Sequence, residues 1–410
     1  MLWTAIIWFI VWGTIGGIVT PRIYTRKDLD VSQASLTGAA IGAALGPIGL
    51  IPLWLVTPKL TTRMAGIAGL MVVGIFVYAF AQTYPENLCV VNGGFVASQL
   101  SNGIVIGIIY GLMALGLTLI YSILGVVSFA HGEFYMIGGM VVYYMSVSTI
   151  FADASPVVWL LGAAILTFFI GVLFERGFLR IMGSGQIERP KEYAILVTFG
   201  LSFFLQYSVQ ALLGANPVKA RRFFELPIIG LPNADDPTLV KSTKATLTLF
   251  DAVSIPNPRF TSAIIAVILL LVLIWFLYRT WVGKGLRAVS QDRQAASVAG
   301  INPDSMNTLA FGMGAMLAGL SGATLVQVFA WLPQVGIPAA ARSFVIIVLG
   351  GMGSLPGAFL GGLTVGLVEA AGVGCIPDPL RAASYIPAYG MIILTLTLLL
   401  KPTGFFGREL

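Results

Sequence analysis

Charge is scarce in this 410-residue chain: Asp, Glu, Lys and Arg make up 10% of it, against about 25% in soluble domains. With 57% hydrophobic residues and a mean hydropathy of +0.92, too little polar surface remains to keep a chain of this length in solution. Cysteine and histidine are nearly missing as well. Cys89, Cys375 and His131 are the whole supply, which excludes a Cys/His structural zinc site needing four closely spaced ligands. No dense basic patch with interleaved aromatics occurs, so nucleic-acid binding is excluded. A phosphate loop is also absent. Its nearest approach, Gly283-Lys284-Gly285, has Tyr278 where the first Gly belongs and Gly where Ser or Thr must follow Lys. The opening run, Leu2 to Thr20, lacks a basic leader and a small-residue cleavage site, so no removable signal peptide is expected.

What is present is apolar length. A bilayer core of about 30 Å needs roughly 20 apolar residues of helix. Uncharged runs of that order extend from Leu2 to Pro21, Val31 to Pro58, Met64 to Pro85, Asn87 to Ala130, Phe134 to Ala152 and Ala154 to Phe174. Others extend from Tyr193 to Val218, Phe260 to Tyr278, Ser305 to Ala341, Ser343 to Val368 and Ala382 to Leu400. None alternates with a two-residue period, which excludes a barrel and leaves helices. The 48 glycines sit inside these runs, as they do in packed transmembrane helices. The expected fold is an all-α polytopic membrane protein of about 11–12 hydrophobic helices, including short broken or re-entrant ones. Gly350, Gly351, Gly353, Pro356 and Gly357 mark such a break.

Loop charge sets the orientation. Arg279, Lys284, Arg287 and Arg293 against Asp292 make the 279–303 loop cytoplasmic, and Lys401 and Arg408 put the C-terminus on the same side. The Glu175–Glu192 loop is weakly compatible with that side. Alternate crossings then leave the Thr83–Phe95 stretch and the proline-rich 214–259 loop outside, the latter extended or only locally folded. The basic Arg22–Asp30 stretch resists this count unless the region around Gly46-Pro47 is a re-entrant hairpin. No attached soluble domain is expected, so the driving force must come from another chain or from a gradient.

The 283–303 segment, Gly283-Lys-Gly-Leu-Arg287-Ala-Val-Ser-Gln-Asp292-Arg293-Gln-Ala-Ala296-Ser-Val-Ala-Gly300-Ile-Asn-Pro303, reads as a short amphipathic helix from about Leu286, ending at Gly300. On residues alone it is either an ordinary solvated connector or a plug for a partner's groove. Its pattern Arg287-Ala-x4-Arg-x-Ala-Ala-x3-Gly-Ile-Asn-x-Asp resembles the coupling loop of the branched-chain amino-acid ABC permease family, most closely its LivH-type members. So do Val348-Leu-Gly-Gly-Met-Gly-Ser-Leu-Pro-Gly-Ala-Phe-Leu-Gly-Gly362 and Lys401-Pro-Thr-Gly-Phe-Phe-Gly407, and upstream Gly116-Leu-Thr-Leu-Ile-Tyr121 and Val127-Ser-Phe-Ala-His-Gly-Glu133. The similarity runs from about Gln99 to Gly407; residues 1–95, expected to be extra transmembrane helices, lie outside it.

The resemblance implies a non-enzymatic, multi-pass subunit of the cell (inner) membrane, with residues 96–410 as its permease domain. It implies a second permease subunit, cytoplasmic ATPase subunits and an extracytoplasmic binding protein as partners. No cofactor is implied in this chain, since ATP is used by the partner subunits. Arg287, Asp292, Arg293, Ala296 and Gly300 would transmit the ATPase stroke, and the cargo would be branched-chain or other small apolar amino acids. Urea or short amides on the same architecture remain an alternative, as does a gradient-driven secondary carrier.

Phe129, His131, Glu133 and Glu369 are candidates for the translocation path or its gate. A charge at the bilayer centre costs roughly 2.5–3.5 kcal/mol on insertion scales, so Glu133 and Glu369 need a reason to be there. For Glu133 the alternative reading is a cap at the cytoplasmic end of a span, with His131 its neighbour. Gly319-Leu-Ser321-Gly322 matches the nucleophile motif of rhomboid-type proteases, but no histidine follows it to activate Ser321. Cys89 and Cys375 both fall outside in the crossing count. A disulfide between them is one reading, and two unrelated thiols the default.

Overall fold

The computed structural model describes residues 87–184, 187–224, 240–242, 246–249, 253–375, 383–401 and 403–407. The three expected spans before Pro85, the Arg22–Asp30 stretch, the Gly46-Pro47 region and Arg408 lie outside the described residues.

Helix dominates what is described. A short turn of helix, α1 (Leu88–Val91), leads into α2 (Gly93–Leu124), followed by α3 (His131–Val147), α4 (Pro156–Phe174) and α5 (Pro190–Leu213). A small antiparallel meander, β1 (Val240–Ser242), β2 (Thr246–Leu249) and β3 (Val253–Pro256), precedes α6 (Asn257–Arg279). Then come α7 (Trp281–Gln291), α8 (Arg293–Val298), α9 (Pro303–Leu325), α10 (Gly336–Gly350), α11 (Leu355–Cys375) and α12 (Ile386–Leu400). Seven of the described helical stretches are long and apolar enough to cross a membrane. The chain is an all-α polytopic membrane protein.

Burial divides these helices into two classes. α2 and α9 are almost wholly enclosed, while α4, α5 and α6 each bury a minority of their apolar windows. The outer faces of those three carry exposed Leu161, Phe169, Phe204, Leu271 and Trp275, the surface expected against lipid or another subunit. Small residues let the inner helices touch backbone to backbone. A Cβ on Gly138 would stand 1.9 Å from the Gly319 carbonyl oxygen, and one on Gly322 would stand 1.9 Å from that of Tyr135. The α3–α9 crossing therefore admits no side chain at either position.

Two helix breaks interrupt the long apolar runs. The run Ser305–Ala341 is not one span: α9 ends at Leu325 and α10 starts at Gly336. Between them Trp331 pairs its backbone with Val218, at 2.9 and 2.7 Å, and its indole N–H donates to the Met136 carbonyl at 3.0 Å. The glycine-rich segment is the turn from α10 to α11, with Gly351 (φ 96) and Gly353 (φ 84) in the left-handed region. The C-terminal Phe405 and Phe406 amides close it by donating to the Leu349 and Gly350 carbonyls.

The outer-loop region is locally folded in its described part. β3 lies along the start of α2, where the Ser254 amide donates to Ser98 Oγ at 3.0 Å and Arg259 donates to Asn102 Oδ1 at 3.2 Å. At that same end Cys89 and Cys375 form a disulfide with a Cα–Cα distance of 5.4 Å. The expectation of two unrelated thiols is thus overturned. Their separation of 286 residues is bridged because α2 and α11 run antiparallel in close contact, bringing the start of one beside the end of the other.

Candidate translocation site and coupling elbow

Between α2 and α3 the chain turns back into the helix layer. α2 stops at Gly125, whose φ of 69 takes the left-handed cap and whose amide donates to the Tyr121 carbonyl. Five non-helical residues follow, and α3 starts at His131, whose Nε2 lies 2.9 Å from the Met113 carbonyl oxygen. Met113 stands about 16 Å of helix rise before the end of α2. His131 and Glu133 are therefore level with Met113 and not with the end of α2, and both are fully buried. Glu133 does stand in the first turn of α3, where a carboxylate is favoured by the helix dipole.

α5 closes this site with a polar stripe. Thr198, Ser202 and Gln206 recur every four residues, one face of a helix. Thr198 Oγ1 accepts from the Phe129 amide at 3.3 Å, and Ser202 Oγ donates to Glu133 Oε1 at 3.1 Å. Four buried polar atoms on these elements have no hydrogen-bond partner among the described residues: Ser128 Oγ, His131 Nδ1, Glu133 Oε2 and Gln206 Oε1. Such atoms each cost about 1–3 kcal/mol when left unmade, so a group of them is a reserve of bonding for something polar. Glu133 also abuts the start of α10, where a Cβ on Gly336 would lie 2.4 Å from Oε2.

Beside the stripe runs a row of half-exposed rings. Phe129 meets Phe199 edge to face at 5.9 Å, Phe199 meets Phe203 at 4.8 Å, and Phe203 stacks on Tyr207 at 6.3 Å. Polar atoms alongside an apolar ladder suit a solute with a polar end and a greasy side chain. The aromatic spacing on α5 is visible in the sequence as Phe199, Phe203 and Tyr207 and went unused there.

Glu369 is part of a different cluster. Its Oε1 accepts from Arg342 Nε at 2.9 Å, and its Oε2 accepts from the Tyr110 hydroxyl at 3.0 Å. Arg342 lies over the Tyr110 ring, 4.8 Å from its centroid. Sequence reasoning missed Arg342, which only divided two apolar runs. A lone basic residue within about one bilayer length of a lone buried acid is the signal that could have found it.

α7 and α8 form an elbow at the basic end of the layer. Thr280 caps α7, its Oγ1 accepting from the Gly283 amide at 3.0 Å. Arg287 turns back on its own span: Nε donates to the Leu277 carbonyl at 3.1 Å, and the guanidinium lies 4.4 Å from the Tyr278 ring centroid. The expected single helix is split at Asp292, whose extended backbone (φ −151, ψ 111) ends α7. Its carboxylate accepts from the Gln294 and Ala295 amides at 2.8 and 2.9 Å and so starts α8. Arg293 ties α8 to the start of α9 through Asp304 at 3.2 Å. Ala296 is buried, and Gly300 (φ 84) ends the elbow. At its tip Val298 is 89% exposed. A cavity of about 420 Å³ lies behind α8, lined by Glu175, Arg180, Arg293 and Asp304 among others.

Apolar spans around a buried polar core, with a short amphipathic elbow pinned to one end, define a multi-pass membrane protein. The chain belongs to the family described as branched-chain amino acid transport system / permease component, whose model matches residues 99–400. It is 31% identical to the high-affinity branched-chain amino acid transport system permease protein LivH of Salmonella typhimurium over 77% of this chain and 96% of that one. It is 30% identical to the permease protein BraD of Pseudomonas aeruginosa over 76% and 95% of the two chains. A probable LivH permease of Methanocaldococcus jannaschii is 24% identical over 73% and 88%. No solved structure matches the chain. The protein is thus a permease subunit, a transporter component.

Proposed function

We propose that this chain is one of the membrane-spanning subunits of an ATP-driven importer of branched-chain or other small apolar amino acids. A second permease subunit completes the path, cytoplasmic ATPase subunits seat the α7–α8 elbow, and an extracytoplasmic binding protein delivers the cargo. The observation that carries this reading is the elbow itself. Arg287 and Arg293 hold it to α6 and α9, Asp292 caps α8 within it, and Val298 is left outward. A lever must be rigid toward its own spans and free toward its driver. The basic residues around the elbow support a cytoplasmic side. The disulfide at the far end supports an oxidising, extracytoplasmic side there.

The path in this reading runs along Phe129, the α5 ladder and the buried polar atoms about His131 and Glu133, with Glu369 in a separate cluster on α11. ATP closure of the partners pulls on the elbow and biases the spans between outward- and inward-open states. Purification of the tagged protein in mild detergent tests the assembly. Recovery of a second polytopic subunit and phosphate-loop ATPases, with the ATPases lost on Val298→Asp, is the expected result. Recovery of the chain alone, under conditions that keep it folded, would count against the reading.

A further inference from the structure

Arg342 has hydrogen-bonding capacity to spare. Its Nε is bonded to Glu369 Oε1 at 2.9 Å, and among the described residues neither terminal nitrogen makes a hydrogen bond. The side chain is 21% exposed, against 9% for Glu369, so the pair opens on the arginine side. The Tyr110 ring beneath the guanidinium and the Tyr110 hydroxyl on Glu369 Oε2 fix the fork's direction. A planar fork with both terminal nitrogens unspent matches the two oxygens of a carboxylate. Glu369 retains lone pairs on both oxygens, enough to accept from an ammonium group as well. Removing a charge pair from water is costly, and apolar residues of similar volume often stabilise a core as well or better. Helix packing alone thus gives no reason to keep this pair between α10 and α11.

We propose that Arg342 is the receptor for the carboxylate of an α-amino acid in transit, with Glu369 beside it taking the ammonium group and Tyr110 holding both in register. The pair is the mirror of a zwitterion's charges. In the resting protein the two charges neutralise each other, and a passing zwitterion adds a second pair across the fork without leaving either charge bare. This inference rests on the amino-acid importer reading above and names the residues that select the cargo's charged end.

The test is ATP-driven uptake by the full assembly in proteoliposomes, with leucine and its uncharged-end analogue leucinamide each supplied far above what saturates the binding protein. The binding protein is common to every arm, so a change in the leucine-to-leucinamide rate ratio on mutating this chain belongs to this chain. Arg342→Lys keeps the positive charge and loses the planar fork, and the ratio is expected to fall about tenfold. Glu369→Gln keeps the shape and removes the counter-charge. It is expected to raise the ratio in the first turnover and slow release of leucine. An unchanged ratio in an Arg342→Lys assembly that purifies normally would overturn the proposal. If that variant does not assemble, an unchanged ratio in Glu369→Gln would do the same. A wild-type assembly that moves neither compound would instead sink the amino-acid reading, and this inference with it.

Discussion

Asp292 shows how much one carboxylate can decide. It takes two amide protons of α8 at 2.8 and 2.9 Å, and its extended backbone makes an elbow where the residue pattern alone suggested one helix. Asp292→Ala removes both bonds at a cost of about 1 kcal/mol, the usual value of an N-cap. Coupled uptake is expected to fall severalfold while the yield of the subunit holds and its melting temperature drops by only a few degrees; an equal fall in yield would make Asp292 merely structural. The sequence pointed to Asp292 because it lies within the segment that resembles the family's coupling loop, but its role as a divider depends on φ and ψ, which no pattern displays. Ser202 is the complementary case. Ser202→Ala leaves the buried Glu133 carboxyl group with no hydrogen bond among the described residues, so a loss of about 1–3 kcal/mol is expected in thermal or denaturant unfolding. Glu133 was recognisable as costly, yet its partners on α5 were not, because they lie 69 residues away.

Among elements, the informative contrast is between enclosed and open helices. Gly138 in α3 has no room for a methyl group, since the Gly319 carbonyl oxygen stands where it would go. Gly200 in α5 has nothing within 4 Å. Gly138→Ala is therefore expected to abolish a monodisperse peak in detergent size-exclusion chromatography. Gly200→Ala should leave that peak intact and raise helix stability by about 0.5–1 kcal/mol. Equal behaviour of the two would contradict the α3–α9 crossing. Apolar length in the sequence located most of these helices, but two boundaries escaped it. The run from Val326 to Leu332 stays uncharged through the α9–α10 break, where Trp331 leaves the helix to pair with Val218. Likewise Gly125 to Ala130 is as greasy as a helix, although it is the segment that turns back toward Met113.

At the scale of the whole molecule, the disulfide closes the far end of α2 onto the far end of α11. Cys89→Ser is expected to lower stability by about 2–4 kcal/mol, and peptide mapping without reductant should recover the two cysteines as one linked pair. Family membership was legible because most of its motifs fall at turns and at the elbow, Gly116 to Tyr121 inside α2 excepted. Arg342 was not legible, because its meaning comes from a contact with Glu369 across two helices. The account stands or falls on energy coupling. Its most direct test is labelled branched-chain amino-acid uptake into proteoliposomes holding the purified assembly, with and without ATP on the ATPase side. The account predicts accumulation only with ATP, reduced severalfold by Asp292→Ala. Uptake by this chain alone, unchanged without ATP, would contradict it.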